Sequence, residues 1–278
     1  MAKNYVSVSG ISTPEQLEEI GKFCGKEKFG FPIAIGFQVS NKSINQGTKN
    51  PRQPKIGDLR KLNELTLNYN LIPSFHYYTK DNKTIIGDLE KLASLSGTIR
   101  ESSLFQLNTL PPDTKTLEQI KQLGFKTILK VPVSNKTHGG YAVWKGHETH
   151  DFHFGEVAAL VEIVRERKDF TDYVIFDPSH GTSLPLDLAK ESLGIRFGKE
   201  ISKSFPYLGL VYAGGIGSEN AGEIIKTLSG YFPKGFSIDT ESKVRETVKV
   251  CGTTTFDELN IDLVKNYLVN VREALSKP

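Results

Sequence analysis

Cysteine is scarce. Cys24 and Cys251 are the only two in 278 residues, and they form neither a C-x-x-C pair nor a framework able to staple a small secreted fold. A reducing compartment, hence a cytoplasmic location, is the simpler expectation. A surplus of one charge is missing too: 35 Lys and Arg face 32 Asp and Glu, a formal +3. No basic run or face offers the footprint that a nucleic acid requires. No stretch approaches the roughly 18 unbroken apolar residues of a membrane span, and Met1–Ser9 lacks the apolar core of a secretion signal. Core material, by contrast, is plentiful. Hydrophobic residues make up 38% of the chain, with 16 Phe and 10 Tyr, which excludes a largely disordered protein.

Short β-branched or aromatic runs alternate with longer stretches of helical period. Tyr5–Val8, Ile33–Phe37, Ile72–Tyr77, Leu104–Leu107, Thr127–Val131, Tyr173–Phe176, Leu208–Tyr212 and Gly235–Ile238 predict strands. Several are continuously apolar, as parallel strands buried on both faces are. Thr13-Pro14-Glu15-Gln16 predicts the start of the first helix, with an N-cap and a proline at the first helical position. Seven further apolar stripes follow, among them Leu59/Leu62/Leu65, Leu186/Leu188/Leu193 and Leu263/Tyr267/Val271. Eight strand–helix pairs predict a single-domain (β/α)8 (TIM) barrel over residues 1–278. A doubly wound sheet is the competitor, but no G-x-G-x-x-G follows the first strand. Two connections exceed what a minimal barrel needs: Ser134–Phe154 after the fifth strand, and Val248–Asn260 before the last helix. Such lengths suggest functional covers, and Pro132 with Gly139-Gly140 makes the first a surface excursion rather than a ninth strand.

In such barrels the reacting groups come from the C-terminal strand ends. Asp177 closes the sixth strand, where partial burial would raise its pKa toward general-acid work; bracing the Pro178–Ser183 loop is the competing role. Gly214-Gly215 end the seventh strand, and Asp239-Thr240-Glu241-Ser242 the eighth. Paired glycines let a backbone approach a ligand, and adjoining amides can cradle a phosphate. Glu241 opposes an anion there unless its carboxylate turns outward. His138, His147, His150 and His153 crowd the fifth connection; on a helix the last three would share a face and could hold a metal, but no cysteine or supporting pattern accompanies them. The expectation is no metal and no cofactor.

These segments together resemble the phosphoribosylanthranilate isomerase family. Ser7-Val8-Ser9-Gly10-Ile11-Ser12-Thr13-Pro14-Glu15 stands where the family has K-I-C-G-I-T and a P-E helix start. Ala34-Ile35-Gly36-Phe37 matches A-I-G-F, Lys49-Asn50-Pro51-Arg52 is similar to K-S-P-R, and Phe105-Gln106-Leu107-Asn108 to V-Q-L-H. Asp177, Gly181-Thr182 and Asp187 resemble D-S…G-G-T-G…F-D-W; Ala213-Gly214-Gly215-Ile216 matches A-G-G-L; Phe236-Ser237-Ile238-Asp239 is similar to V-D-V-S.

The resemblance implies a cofactor-free Amadori rearrangement of a phosphorylated ribosyl amine, as in tryptophan biosynthesis, by a monomer or homodimer. It implies Asp177 as general acid and Arg52 as the clamp on a substrate carboxylate. Gln106, Gly181, Thr182, Gly214, Gly215, Asp239 and Thr240 are the implied substrate contacts. Ser9 replaces the family's base, a cysteine, and an unassisted serine supplies essentially no alkoxide near neutrality. The β8 loop also departs, with Lys243 at a family Gly and Arg245 at a family Glu. A repurposed or non-catalytic sugar-phosphate-binding barrel is the alternative; a metal-assisted hydrolase trails both.

Overall fold

Residue parity along the strands decides which side chains enter the barrel. The computed structural model describes residues 4–97, 99, 101–108, 111–131, 133–135, 141–145, 148–150, 157–179, 185–250 and 254–276. Eight parallel strands close on themselves: β1 (Val6–Ser9), β2 (Ile33–Ser40), β3 (Ile72–Tyr78), β4 (Leu104–Leu107), β5 (Lys126–Lys130), β6 (Tyr173–Phe176), β7 (Gly209–Ala213) and β8 (Ser237–Thr240). Their order is β1-β8-β7-β6-β5-β4-β3-β2, and Val6 closes the ring opposite both Ile33 and Ile238. Around them lie α1 (Pro14–Glu27), α2 (Leu59–Asn68), α3 (Ile85–Ser96), α4 (Thr114–Gln122), α5 (Val157–Arg167), α6 (Leu193–Ser204), α7 (Ala221–Tyr231) and α8 (Ile261–Ser276). This is the (β/α)8 barrel that the alternation predicts.

Two apolar layers result. The large one, between strands and helices, joins Val8, Ile35, Phe75 and Phe105 to Leu17, Leu62, Leu89 and Leu117. Each large side chain buried there contributes about 1.5–3 kcal/mol. The small one lies inside the barrel: Tyr5, Ala34, Leu104, Ile128, Tyr173, Ile175, Val211 and Ala213. Because side chains alternate between faces, residues two further along each strand also point inward. Ser7 and Ser9 follow Tyr5 in this way, Gln106 follows Leu104, Lys130 follows Ile128, and Asp177 follows Ile175. His76 and Asp239 obey the same parity on β3 and β8. The interior therefore turns from apolar to polar toward the C-terminal mouth.

The first helix begins as predicted. Thr13 Oγ1 accepts from Gln16 N at 3.3 Å, and Gln16 Oε1 accepts from Thr13 N at 3.3 Å, a reciprocal cap ahead of Pro14. Three expectations need correction. The fifth connection is not strandless: Val133–Asn135, Tyr141–Lys145 and Glu148–His150 form a separate antiparallel sheet. The β-forming run Tyr141–Trp144 outweighs the turn signals beside it. The last connection is a hairpin, Arg245–Val250 with Thr254–Leu259, in register Arg245 to Leu259. Leu186 and Leu188 do not belong to α6; Ser192 caps that helix, accepting from Ile195 N, while Leu186 N donates to Gly214 O at 3.2 Å. Among the described residues, no helix is long and apolar enough to cross a membrane.

Candidate active site at the barrel mouth

Ser9 and Asp239 meet where β1 and β8 close the barrel. Ser9 Oγ donates to Asp239 Oδ1 at 2.6 Å, and both residues are buried. Burial pushes the Asp239 carboxyl up to about 6; the Ser9 and Ser7 hydroxyls pull it down, and the charge of Asp177 raises it further. A carboxylate with that affinity exchanges its proton near neutrality.

Asp177 follows β6 beside the end of β5. Lys130 Nζ donates to Asp177 Oδ2 at 2.6 Å, and Ser179 donates to Oδ1 from its amide at 3.0 Å and its hydroxyl at 2.7 Å. Burial pushes Asp177 up, but the Lys130 ammonium and the Ser179 donors outweigh it and hold the carboxyl at about 2. The expected upward shift is thus reversed, because a buried cation stands within hydrogen-bond reach. His76 faces the same space, 3.1 Å from Ser74 Oγ. Burial lowers it to about 4, so the imidazole is neutral.

Arg52 reaches the mouth already engaged. Its Nε donates to Asp257 Oδ1 at 3.0 Å and its Nη2 to Asp257 Oδ2; its Nη1 meets Glu241 Oε1 at 3.0 Å. Arg245, with its side chain only 1% exposed, donates to the same Asp257 at 3.0 Å and to Gly10 O at 3.0 Å. The clamp implied for a substrate carboxylate holds two of the protein's own carboxylates. Glu241 is turned inward, not outward, and burial raises its pKa.

Asp177, Ser179, Gly214, Gly215, Asp239 and Glu241 line one cavity of about 30 Å³, little more than a water molecule needs. Gly214 and Gly215 have φ of 117° and 58°, a backbone course that suits glycine. Among the described residues, no group accepts from their amides. Thr240 Oγ1 instead donates to Ile216 O at 2.5 Å, so its hydroxyl hydrogen ties the β7 and β8 loops together. Gln106 Nε2 donates to Asn108 Oδ1 at 2.9 Å. Gly181 and Thr182 lie outside the described residues, as do His138, His147, His153 and His180. His150 sits on a strand rather than a helix. Among the described residues no three His, Cys, Asp or Glu side chains gather as metal ligands.

The principal side chain missed from sequence is Lys130. Its pairing with Asp177 depends on β5 and β6 being neighbours, which brings together residues 47 apart in the chain. Asp257 carried no local signal at all.

Fold and site together define a (β/α)8 barrel with a carboxylate-rich mouth. No protein-family model matches the chain, and no curated protein matches it in sequence. It is similar to a solved structure described as "Native KDPGal structure", with a TM-score of 0.50 and 11% identity over 98% of this chain and 96% of that one. It is also similar to triosephosphate isomerase from Bartonella henselae, with a TM-score of 0.51 and 10% identity over 86% of this chain and 92% of that one. At such identities the likeness establishes the barrel fold alone; it is to such barrels in general and does not single out phosphoribosylanthranilate isomerase.

Proposed function

We propose that this protein is a cofactor-independent aldose–ketose isomerase of the Amadori type, related in mechanism to phosphoribosylanthranilate isomerase. One observation carries the reading: Asp239, bonded to Ser9 at the family's base position, shares a cavity with Asp177, which Lys130 holds ionised. Carboxylates whose surroundings drive their proton affinities apart are the usual basis of acid–base assignment.

The chemistry needs one proton delivered and one removed. Donation to the ring oxygen breaks the C1–O bond of the sugar while the anomeric nitrogen lone pair forms a C=N bond. Removal of the C2 proton then gives an enaminol, which tautomerises to the aminoketose, with no oxidant or reductant. Asp239, at about 6, is mostly ionised at pH 7 and takes the C2 proton, a role Ser9 alone cannot fill. The donor is the Lys130–Asp177 pair, with the proton on Lys130. Gly214 and Gly215 offer amides to the sugar oxygens. Substrate entry requires the Arg52–Glu241 pair to part, since that bridge borders a cavity with room for little more than water.

The test is turnover of phosphoribosylanthranilate, followed by loss of its fluorescence, in wild type and Asp239→Asn. The expected loss in the variant is about 10²–10⁴-fold in kcat/KM. Unaltered turnover in Asp239→Asn would refute the assignment of the base. No turnover by wild type leaves the reading without its substrate and favours the repurposed sugar-phosphate-binding barrel.

A further inference from the structure

The cavity that holds Gly214 and Gly215 is poorly suited to a phosphate. Asp177, Asp239 and Glu241 all line it, and the Lys130 ammonium beside it is already paired with Asp177. A phosphate dianion placed there would face several carboxylates at close range in a water-poor setting, where like charges repel most strongly.

A second, far larger concavity, of about 1200 Å³, opens between the loops that follow β2 and β3. Its wall carries Lys42, Lys49 and Lys80 against a single acid, Asp81. Three cations against one carboxylate leave two positive charges uncompensated. Asp81 is itself occupied, its Oδ1 accepting from Lys83 N at 3.0 Å. Among the described residues, none of the three lysines has an ion-pair partner, although most cations around the mouth do. Tyr78, 48% exposed at the end of β3, adds an uncovered aromatic face to the same wall.

Two chain segments lead from this concavity toward the reacting centre. Tyr78 lies two residues beyond His76 on β3, about 7 Å further along the strand, and the charges of Glu241 and Asp177 act on His76. Asn50 and Gln53, on the same wall, flank the Pro51-Arg52 step, and Arg52 bonds Glu241 of the inner cavity.

We infer that the lysine-lined concavity after β2 and β3 binds the phosphate of a phosphorylated sugar. The identity of the ligand's other end rests on the isomerase reading; the anion site itself does not. Tyr78 packs against the apolar face of the sugar, and the lysines supply a salt-sensitive attraction.

The experiment is calorimetric titration of the full chain with ribose 5-phosphate, with ribose as the phosphate-free control. Saturable binding of ribose 5-phosphate is expected, weakening as ionic strength rises. It should fall about ten-fold or more in Lys42→Ala/Lys49→Ala/Lys80→Ala and stay unchanged in Lys22→Ala/Lys26→Ala, which removes the same type of charge from α1. All these lysines are on the surface, and thermal unfolding checks that the variants remain folded. Unchanged affinity in the triple variant overturns the inference, as does a loss confined to Gly215→Ala, which would return the phosphate to the glycine cavity. Absence of saturable binding by wild type up to about 10 mM also overturns it. Because no turnover is needed, the outcome is independent of the catalytic reading: Asp239→Asn should still bind ribose 5-phosphate while losing turnover.

Discussion

Lys130 Nζ lies 2.6 Å from Asp177 Oδ2, joining the ends of two adjacent barrel strands with side chains only 9% and 13% exposed. An ion pair this deep gains little over an apolar pair, but losing one partner strands the other as a buried charge. Lys130→Met is therefore expected to destabilise the fold by about 3 kcal/mol, measured by urea unfolding at pH 7. The acid limb reports the same pair. Asp177 sits near 2 in the folded chain against about 3.9 unfolded, so its stabilisation is complete above pH 4 and lost as pH falls toward 2. In Lys130→Met the folded pKa of Asp177 should rise toward or past its unfolded value, so the stability lost on acidification should shrink; an unchanged acid limb would show that Lys130 does not hold Asp177 ionised.

Asp239 and His76 titrate in the same window with opposite effect. Asp239, raised to about 6, withdraws stability as pH rises from about 4 through 6. His76, lowered to about 4, adds stability as pH rises from 4 to about 6.5, because only the unfolded chain is protonated there. The two dependences offset, so wild-type stability should be nearly flat between pH 4 and 6.5. Asp239→Asn should unmask a stability that climbs with pH by up to about 3 kcal/mol. Thermal melts across that range check it, and a flat profile in the variant would reject the His76 assignment.

Ser9 acts on Asp239 through one short hydrogen bond. Removing the donor in Ser9→Ala takes away a force that favours the ionised form, so the Asp239 pKa should rise above 6. The rising limb of kcat/KM against pH, which reports the base in the free enzyme, should shift upward with it. An unshifted limb, whatever the change in absolute rate, would mean that Asp239 is not the titrating base.

Glu241 lines the inner cavity and holds Arg52 beside it. In Glu241→Gln the ion pair is lost while the side chain keeps its size, so the bridge should open more readily and KM should fall, with kcat little changed. Arg52→Ala should act differently, leaving Glu241 and Asp257 without that cation and costing about 1–3 kcal/mol. Parallel kinetics and unfolding of the two variants separate gating from structural support.

Much of this architecture is legible in the amino-acid order because period-two parity is a local property. Tyr5, Ser7 and Ser9 can be sorted inward from the pattern alone, and Asp177 and Asp239 fall at strand ends by the same count. Strand limits shift by at most three residues, as at the end of β2, which runs on from Phe37 to Ser40, and at Ser237–Thr240, where Gly235 with φ of 104° belongs to the turn. Protonation is not legible in that way. Whether Asp177 sits high or low depends on Lys130, and a nearby cation reverses what burial predicts. Arg52 illustrates the same limit at longer range, since its partners Glu241 and Asp257 lie 189 and 205 residues away. The two β-sheets outside the barrel were masked by turn residues, whose signals compete with short β-forming runs.

Arg245 donates to the carbonyl of Gly10 across 235 residues of chain, at the seam where β1 meets β8. Contacts of such separation form late, because loop closure must come before they reward the chain. A nascent polypeptide would thus carry a barrel with an unsealed seam until this arginine has emerged, and its pocket would be the last part to acquire a settled shape.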